Sequence, residues 1–211
     1  MAEAALYNCD GEKIDQVSLS DELFDAPPNE ALVHQALVCL GRARRVGSAW
    51  TKRRDEVALT KAKWYRQKGT GHARHGARSV PGFVGGAKAH GPRGRRAPGK
   101  LPRRMRRQAV CAAVSDKRRH GRLTVLDSFE IDDYSTSRFA EILENLEAYG
   151  RILVLIGPSE DPDEKVYRSG RNIVGVTIRV APHVSLYEVL GADRIIVTRE
   201  ALGRLEEVWL S

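Results

Sequence analysis

Residues 57–115 contain not one Asp or Glu. Ordinary solvated surfaces interleave both signs of charge, so an acid-free run of this length needs another explanation. Residues 42–107 hold 21 Lys and Arg against 2 acidic residues, net +19. Residues 1–41 hold 1 basic and 8 acidic residues, net −7, and residues 108–211 hold 13 basic and 17 acidic, net −4. The modest overall charge of +8 therefore hides an acidic body with a strongly cationic middle. Such a segment repels itself and calls for a polyanion.

The same middle segment has no amphipathic period. Over residues 46–101 neither a helical nor a strand pattern emerges, and nine glycines between Gly69 and Gly99 are joined by Pro81, Pro92 and Pro98. A stretch this long without its own structure argues against a compact-domain assignment and suggests a functional or disordered extension. Its apolar residues, Trp64, Tyr65, Val80, Phe83 and Val84, are too few for an independent core. The reading is a long extended loop over 46–101, set into a globular domain made of 1–45 and 102–211. Each arm of about 27 residues spans at most roughly 90 Å when fully extended.

Outside the loop the patterning is regular. Residues 4–19 read as a hairpin turning at Asp10-Gly11. Asn29 caps a helix with Leu32, Val33, Ala36, Leu37 and Leu40 on one face, leaving through Arg42, Arg44 and Arg45. Pro102 opens a helix with Met105, Ala109, Ala112 and Ala113 inward, stopped by Gly121. Strands are predicted over 123–129, 151–156, 173–180 and 194–197. Helices are predicted from Ser137 to Gly150, over 185–190, and from a Thr198 cap to Trp209. Alternating strands and helices predict an α/β fold with a mostly parallel sheet covered on both sides.

The cationic segment carries two clusters. In WYRQKGTGHARHG, Gly69 and Gly71 permit close backbone approach to a phosphate. Arg66, Lys68 and Arg74 neutralise charge, and Trp64 and Tyr65 offer faces for base stacking. In HGPRGRRAPGKLPRRMRR, the arginines suit bidentate phosphate contacts, although composition alone also fits a nuclear-localisation-like run. Basic, glycine-rich and aromatic together form an RNA-binding chemistry.

Enzyme chemistry finds less support. Gly69, Gly71 and Gly76 lack the G-x-G-x-x-G spacing, no strand leads into them, and no G-x-x-x-x-G-K-[ST] occurs. His72 and His75 have no carboxylate or cysteine nearby to complete a metal site, so neither metal nor cofactor is expected. Asp132-Asp133 and the Asp161 to Glu164 cluster read as solvated turns. Cys9, Cys39 and Cys111 are too far apart for a zinc knuckle and odd in number for a disulfide framework. They suggest a reducing cytoplasmic setting, with Cys39 and Cys111 as small core residues. The longest aliphatic run, 152–156, is too short to cross a bilayer, and the acidic N-terminus has no signal-peptide order. A membrane partner is not expected.

The order of motifs resembles the bacterial-type ribosomal protein L-four family of the large subunit. PNEALVHQ, WYRQKGTGHARHG, SVPGFVGG with the following HGPRGRR, SDKRRHGRLTVLDSF, Arg171-Asn172 and RIIVTREALGRLEEV all fit, across nearly the whole chain. RQKGTG is the most specific of them. The resemblance implies a three-layer α/β/α domain and no catalysis. It implies a loop running into large-subunit rRNA, with partners that include several rRNA domains, neighbouring large-subunit proteins and the nascent peptide. The protein would act early in subunit assembly, in the ribosomes of the cytoplasm. The rRNA-binding residues would be Arg42, Arg44, Arg45, Lys52, Arg53, Arg54, Lys61, Lys63, Trp64, Arg66, Gln67, Lys68, Gly69, Thr70, Gly71, His72, Arg74, Arg78, Phe83, Lys88, Arg93, Arg95, Arg96, Lys100, Arg103, Arg104, Arg106 and Arg107. The tip, from Gln67 through Ala73 to Arg74, would line the narrow part of the peptide exit tunnel. Trp50 stands where the family usually has small polar residues. Two alternatives remain: a non-ribosomal RNA or DNA chaperone with a basic arm, and a nucleotide-using α/β enzyme.

Overall fold

A computed structural model describes every residue except 1, 95–98, 130, 132, 159–161 and 211. The chain divides into two compact units, one made of residues 1–40 and 100–211, the other of 41–99.

The first unit is built on one six-stranded sheet of order β2-β1-β3-β6-β4-β5. Strands β1 (Ala2–Tyr7) and β2 (Lys13–Leu19) form an antiparallel hairpin. Its turn is held by the Asn8 carboxamide oxygen, which accepts the amides of Asp10 at 3.1 Å and Glu12 at 2.8 Å. The remaining strands, β3 (Leu123–Leu126), β4 (Ile152–Ile156), β5 (Val176–Val180) and β6 (Arg194–Thr198), run parallel to their neighbours. Strand β4 lies between β6 and β5 and is buried along its whole length, which is why it reads as an unbroken aliphatic run.

Successive side chains of a strand face opposite sides of the sheet, and this alternation sorts the core into two clusters. Leu153, Leu155, Ile195 and Val197 pack with α1 (Asp21–Phe24), α2 (Glu30–Arg44), α3 (Arg103–Arg119), α6 (Leu186–Gly191) and α7 (Arg199–Leu210). Val154, Ile156 and Ile196 pack with Phe139 and Ile142 of α4 (Thr136–Asn145) and Val166 of α5 (Pro162–Gly170). Helices on both faces of a mostly parallel sheet give the three-layer α/β/α arrangement. Leu101 is buried within the first of these clusters. Among the described residues no helix is long and apolar enough to cross a membrane.

Several elements differ from the sequence reading. The third strand stops at Leu126, and Phe129 leaves the sheet to stack on Phe139, with ring centroids 5.4 Å apart. Helix α4 starts at Thr136 because the Ser135 hydroxyl accepts the Arg138 amide at 3.2 Å. It ends at Asn145, and the left-handed backbone of Glu147 follows. Strand β5 begins at Val176 rather than at 173. The acidic run expected as a solvated turn belongs in part to α5, which contains Glu164; Glu164 pairs with Arg168 one turn on. Asp161 and Asp132 lie outside the described residues, and Asp133 is exposed. Helix α1 is too short for a periodic signal. It is set against α3 by Ser115, whose hydroxyl donates to the Leu23 carbonyl at 3.1 Å and accepts the Ala26 amide at 3.0 Å.

Candidate nucleic-acid interface

Among its described residues the 41–99 unit contains no regular strand, yet it is not structureless. Its two arms meet at an antiparallel bridge between Trp50 and Arg93. The Gly94 amide donates to the Ala49 carbonyl at 2.8 Å, Thr51 to Pro92 at 3.2 Å, and Lys88 to Lys52 at 3.2 Å. Farther out, the Trp64 amide donates to the Gly76 carbonyl at 3.0 Å and closes the tip.

Within that tip, residues 64–76, the chain bonds to itself. The Tyr65 hydroxyl donates to the Ala73 carbonyl, Lys63 bonds the side-chain oxygen of Gln67, and the Arg66 guanidinium donates to the Gly69 carbonyl at 3.0 Å. Gly69 has φ +84°, and a Cβ there would stand 3.2 Å from the Arg66 guanidinium. Glycine is therefore favoured by the backbone conformation, while the exposed arginine would have to shift slightly to admit a side chain. Lys68, His72 and Arg74 are exposed around this turn.

The base of the tip carries a small ring cluster that the count of apolar residues did not foretell. Phe83 meets Trp64 edge-on at 5.1 Å and His75 at 5.1 Å, Tyr65 meets His75 at 6.0 Å, and Arg78 covers Trp64 at 5.4 Å. Ala77, Ser79 and Ala87 of the same unit are buried. Histidine and arginine serve here as ring partners, which an apolar count omits. Trp64 retains 45% exposure and Tyr65 is half-buried, so their rings pack on one another as well as facing outward.

The other candidate residues divide by unit. Arg42, Arg44, Arg45, Lys52, Arg53, Arg54, Lys61, Lys63, Arg66, Lys68, Arg74, Arg78 and Lys88 are all exposed, whereas Arg93 is half-buried. Arg95 and Arg96 lie outside the described residues. Lys100, Arg103, Arg104, Arg106 and Arg107 are exposed in the other unit, the arginines along the first turns of α3. Exposed guanidinium and ammonium groups at this density suit phosphate binding.

A family model for the ribosomal protein L4/L1 family matches residues 17–208. The chain belongs to that family. It is 39% identical over 209 residues to the large ribosomal subunit protein uL4 of Heliobacterium modesticaldum, covering 99% of this chain and 100% of the relative. The uL4 of Pelotomaculum thermopropionicum is 39% identical with the same coverage. That of Dehalococcoides mccartyi is 38% identical over 98% of this chain and 97% of its own. Members of this family are structural ribosomal proteins and not enzymes, which removes the nucleotide-using enzyme from consideration.

Proposed function

We propose that the chain is a structural component of the large ribosomal subunit whose cationic 46–101 segment binds large-subunit rRNA during early assembly. Its tip, 67–74, lines part of the nascent-peptide exit tunnel. The supporting observation is the exposure of every Lys and Arg between Arg42 and Lys88, in a segment of net +19 across 42–107. A loop so charged gains little from packing on itself, whereas RNA phosphates neutralise it and release counterions. The self-bonded tip adds a compact, glycine-shaped end with Lys68 and Arg74 outward.

Co-sedimentation tests the reading. Tagged chain expressed in bacteria should travel with large subunits through a high-salt gradient and be protected from trypsin there between Lys52 and Arg104. Release of the whole chain at moderate salt, with binding to arbitrary RNA, would instead identify a free nucleic-acid chaperone.

A further inference from the structure

Arg93 is the one described cation of the 41–99 unit that is not exposed, and its surroundings explain why. Its guanidinium lies 4.4 Å from the centre of the Trp50 ring. Its two terminal nitrogens reach the two oxygens of Glu56, each at 3.0 Å. Glu56 Oε2 also accepts the Arg53 amide at 2.9 Å. Asp55 and Glu56 are the only acidic residues of 42–107. A carboxylate in a phosphate-binding segment repels its ligand unless an internal partner neutralises it. Glu56 has that partner, in the fork geometry that suits a guanidinium.

We propose that Trp50, Arg93 and Glu56 form a clasp that fixes the register of the two loop arms, and that Arg93 is a positioning residue rather than a phosphate contact. The proposal rests on the reading of this segment as an rRNA-binding loop. The backbone supports it independently: the Trp50–Arg93 bridge is flanked by the Gly94–Ala49 and Thr51–Pro92 hydrogen bonds. The arms approach so closely that a Cβ at Gly91 would stand 1.8 Å from Thr51 Oγ1. A groove of about 630 Å³ beside the clasp carries Arg53, Lys88 and His90 along with Arg93 itself. Pinning the base of a loop of about 40 residues lowers the entropy lost when its cations line up on RNA. Trp50 thereby has a role at a position where the family usually carries small polar residues.

The test uses the full chain and two readouts. In the free protein, Trp50→Ala and Arg93→Lys should each speed amide exchange at Thr51 and Gly94 while leaving β4 amides unchanged. Trp50→Phe, which keeps a ring, should stay near the parent and guards against simple misfolding. On large-subunit rRNA, Trp50→Ala and Arg93→Lys should each weaken binding about threefold to thirtyfold at every salt concentration. The slope of log K against log salt should not change, because neither substitution removes a charge. The double variant should be no weaker than the worse single one. Two results overturn the proposal: unchanged Thr51 and Gly94 exchange, or parent-like binding by Arg93→Lys together with a slope reduced by about one in Arg93→Ala. If the parent chain fails to bind rRNA, the proposed function falls and the exchange data alone decide the clasp.

Discussion

The ammonium group of Lys117 donates a hydrogen bond to the carbonyl oxygen of Ala192 at 2.5 Å, from a residue only 7% exposed. Lys117 sits on α3, and Ala192 is the residue that closes α6, so one side chain satisfies a carbonyl at a helix end. Burial pushes the lysine below its usual 10.5, and Arg122 and Arg151 push the same way, while Asp193 and Asp116 oppose. A lysine with a lowered folded value binds its proton more readily when the chain is unfolded. Stability therefore rises as pH climbs from the folded value toward 10.5.

Comparison with Lys117→Met isolates this effect. The variant keeps much of the aliphatic stem but leaves the Ala192 carbonyl without its partner, a cost of about 1–3 kcal/mol. Urea unfolding from pH 7 upward should show the parent gaining on the variant as pH approaches 10.5. A constant difference across that range would mean that the lysine titrates normally.

The acid limb should depend on Asp25. The guanidinium groups of Arg119 and Arg118 donate to its carboxylate at 3.2 and 2.9 Å and hold it below the usual 3.8. A carboxylate with a lowered folded value stabilises the fold fully above its unfolded value, and that contribution is lost as pH falls through the folded value. The stability difference between the parent and Asp25→Asn should be flat above about pH 5 and shrink at lower pH. A difference that persists unchanged into strong acid would count against this pairing.

Legibility followed the length of the periodic signal. Strand β4 and helices α3 and α7 were readable because burial on both faces, or on one helical face, leaves an unambiguous pattern. Helix α5 was not, since Val166 is its clearest core anchor and its polar residues resemble a turn. The charge of the cationic segment points to a polyanion, but says nothing of the segment's internal order. The Trp50–Arg93 bridge joins residues far apart in sequence, and the His75 and Arg78 ring contacts depend on shape rather than hydropathy.

The salt dependence of rRNA binding should reside in the loop. If the loop engages about 6–10 phosphates, raising salt from 50 to 200 mM should weaken binding roughly 10³–10⁵-fold. Replacing residues 50–99 by a short Gly-Ser linker should leave a folded α/β domain with a much shallower slope. Equal slopes for the two proteins would place the phosphate contacts elsewhere.

At the tip, charge and shape should separate. Lys68 is exposed and flanks the turn without a hydrogen bond or ion pair to another described residue, so Lys68→Glu changes charge and leaves the turn intact. Gly69→Val changes shape. The valine must adopt a φ of +84°, and its Cβ would press within 3.2 Å of the Arg66 guanidinium that bonds the Gly69 carbonyl. A β-branched residue in that region costs about 1–3 kcal/mol, enough to open a turn held by a few hydrogen bonds. Large-subunit yield on sucrose gradients should stay near normal for both variants, because the globular domain is untouched and the segment keeps most of its 21 cationic residues. Translation by the purified ribosomes should distinguish them from the parent. Both should alter sensitivity to tunnel-binding macrolides and stalling by nascent chains, with Gly69→Val the stronger because it displaces Arg66 as well. Normal drug sensitivity and stalling, with a severe loss of subunits, would make the tip an assembly contact away from the tunnel.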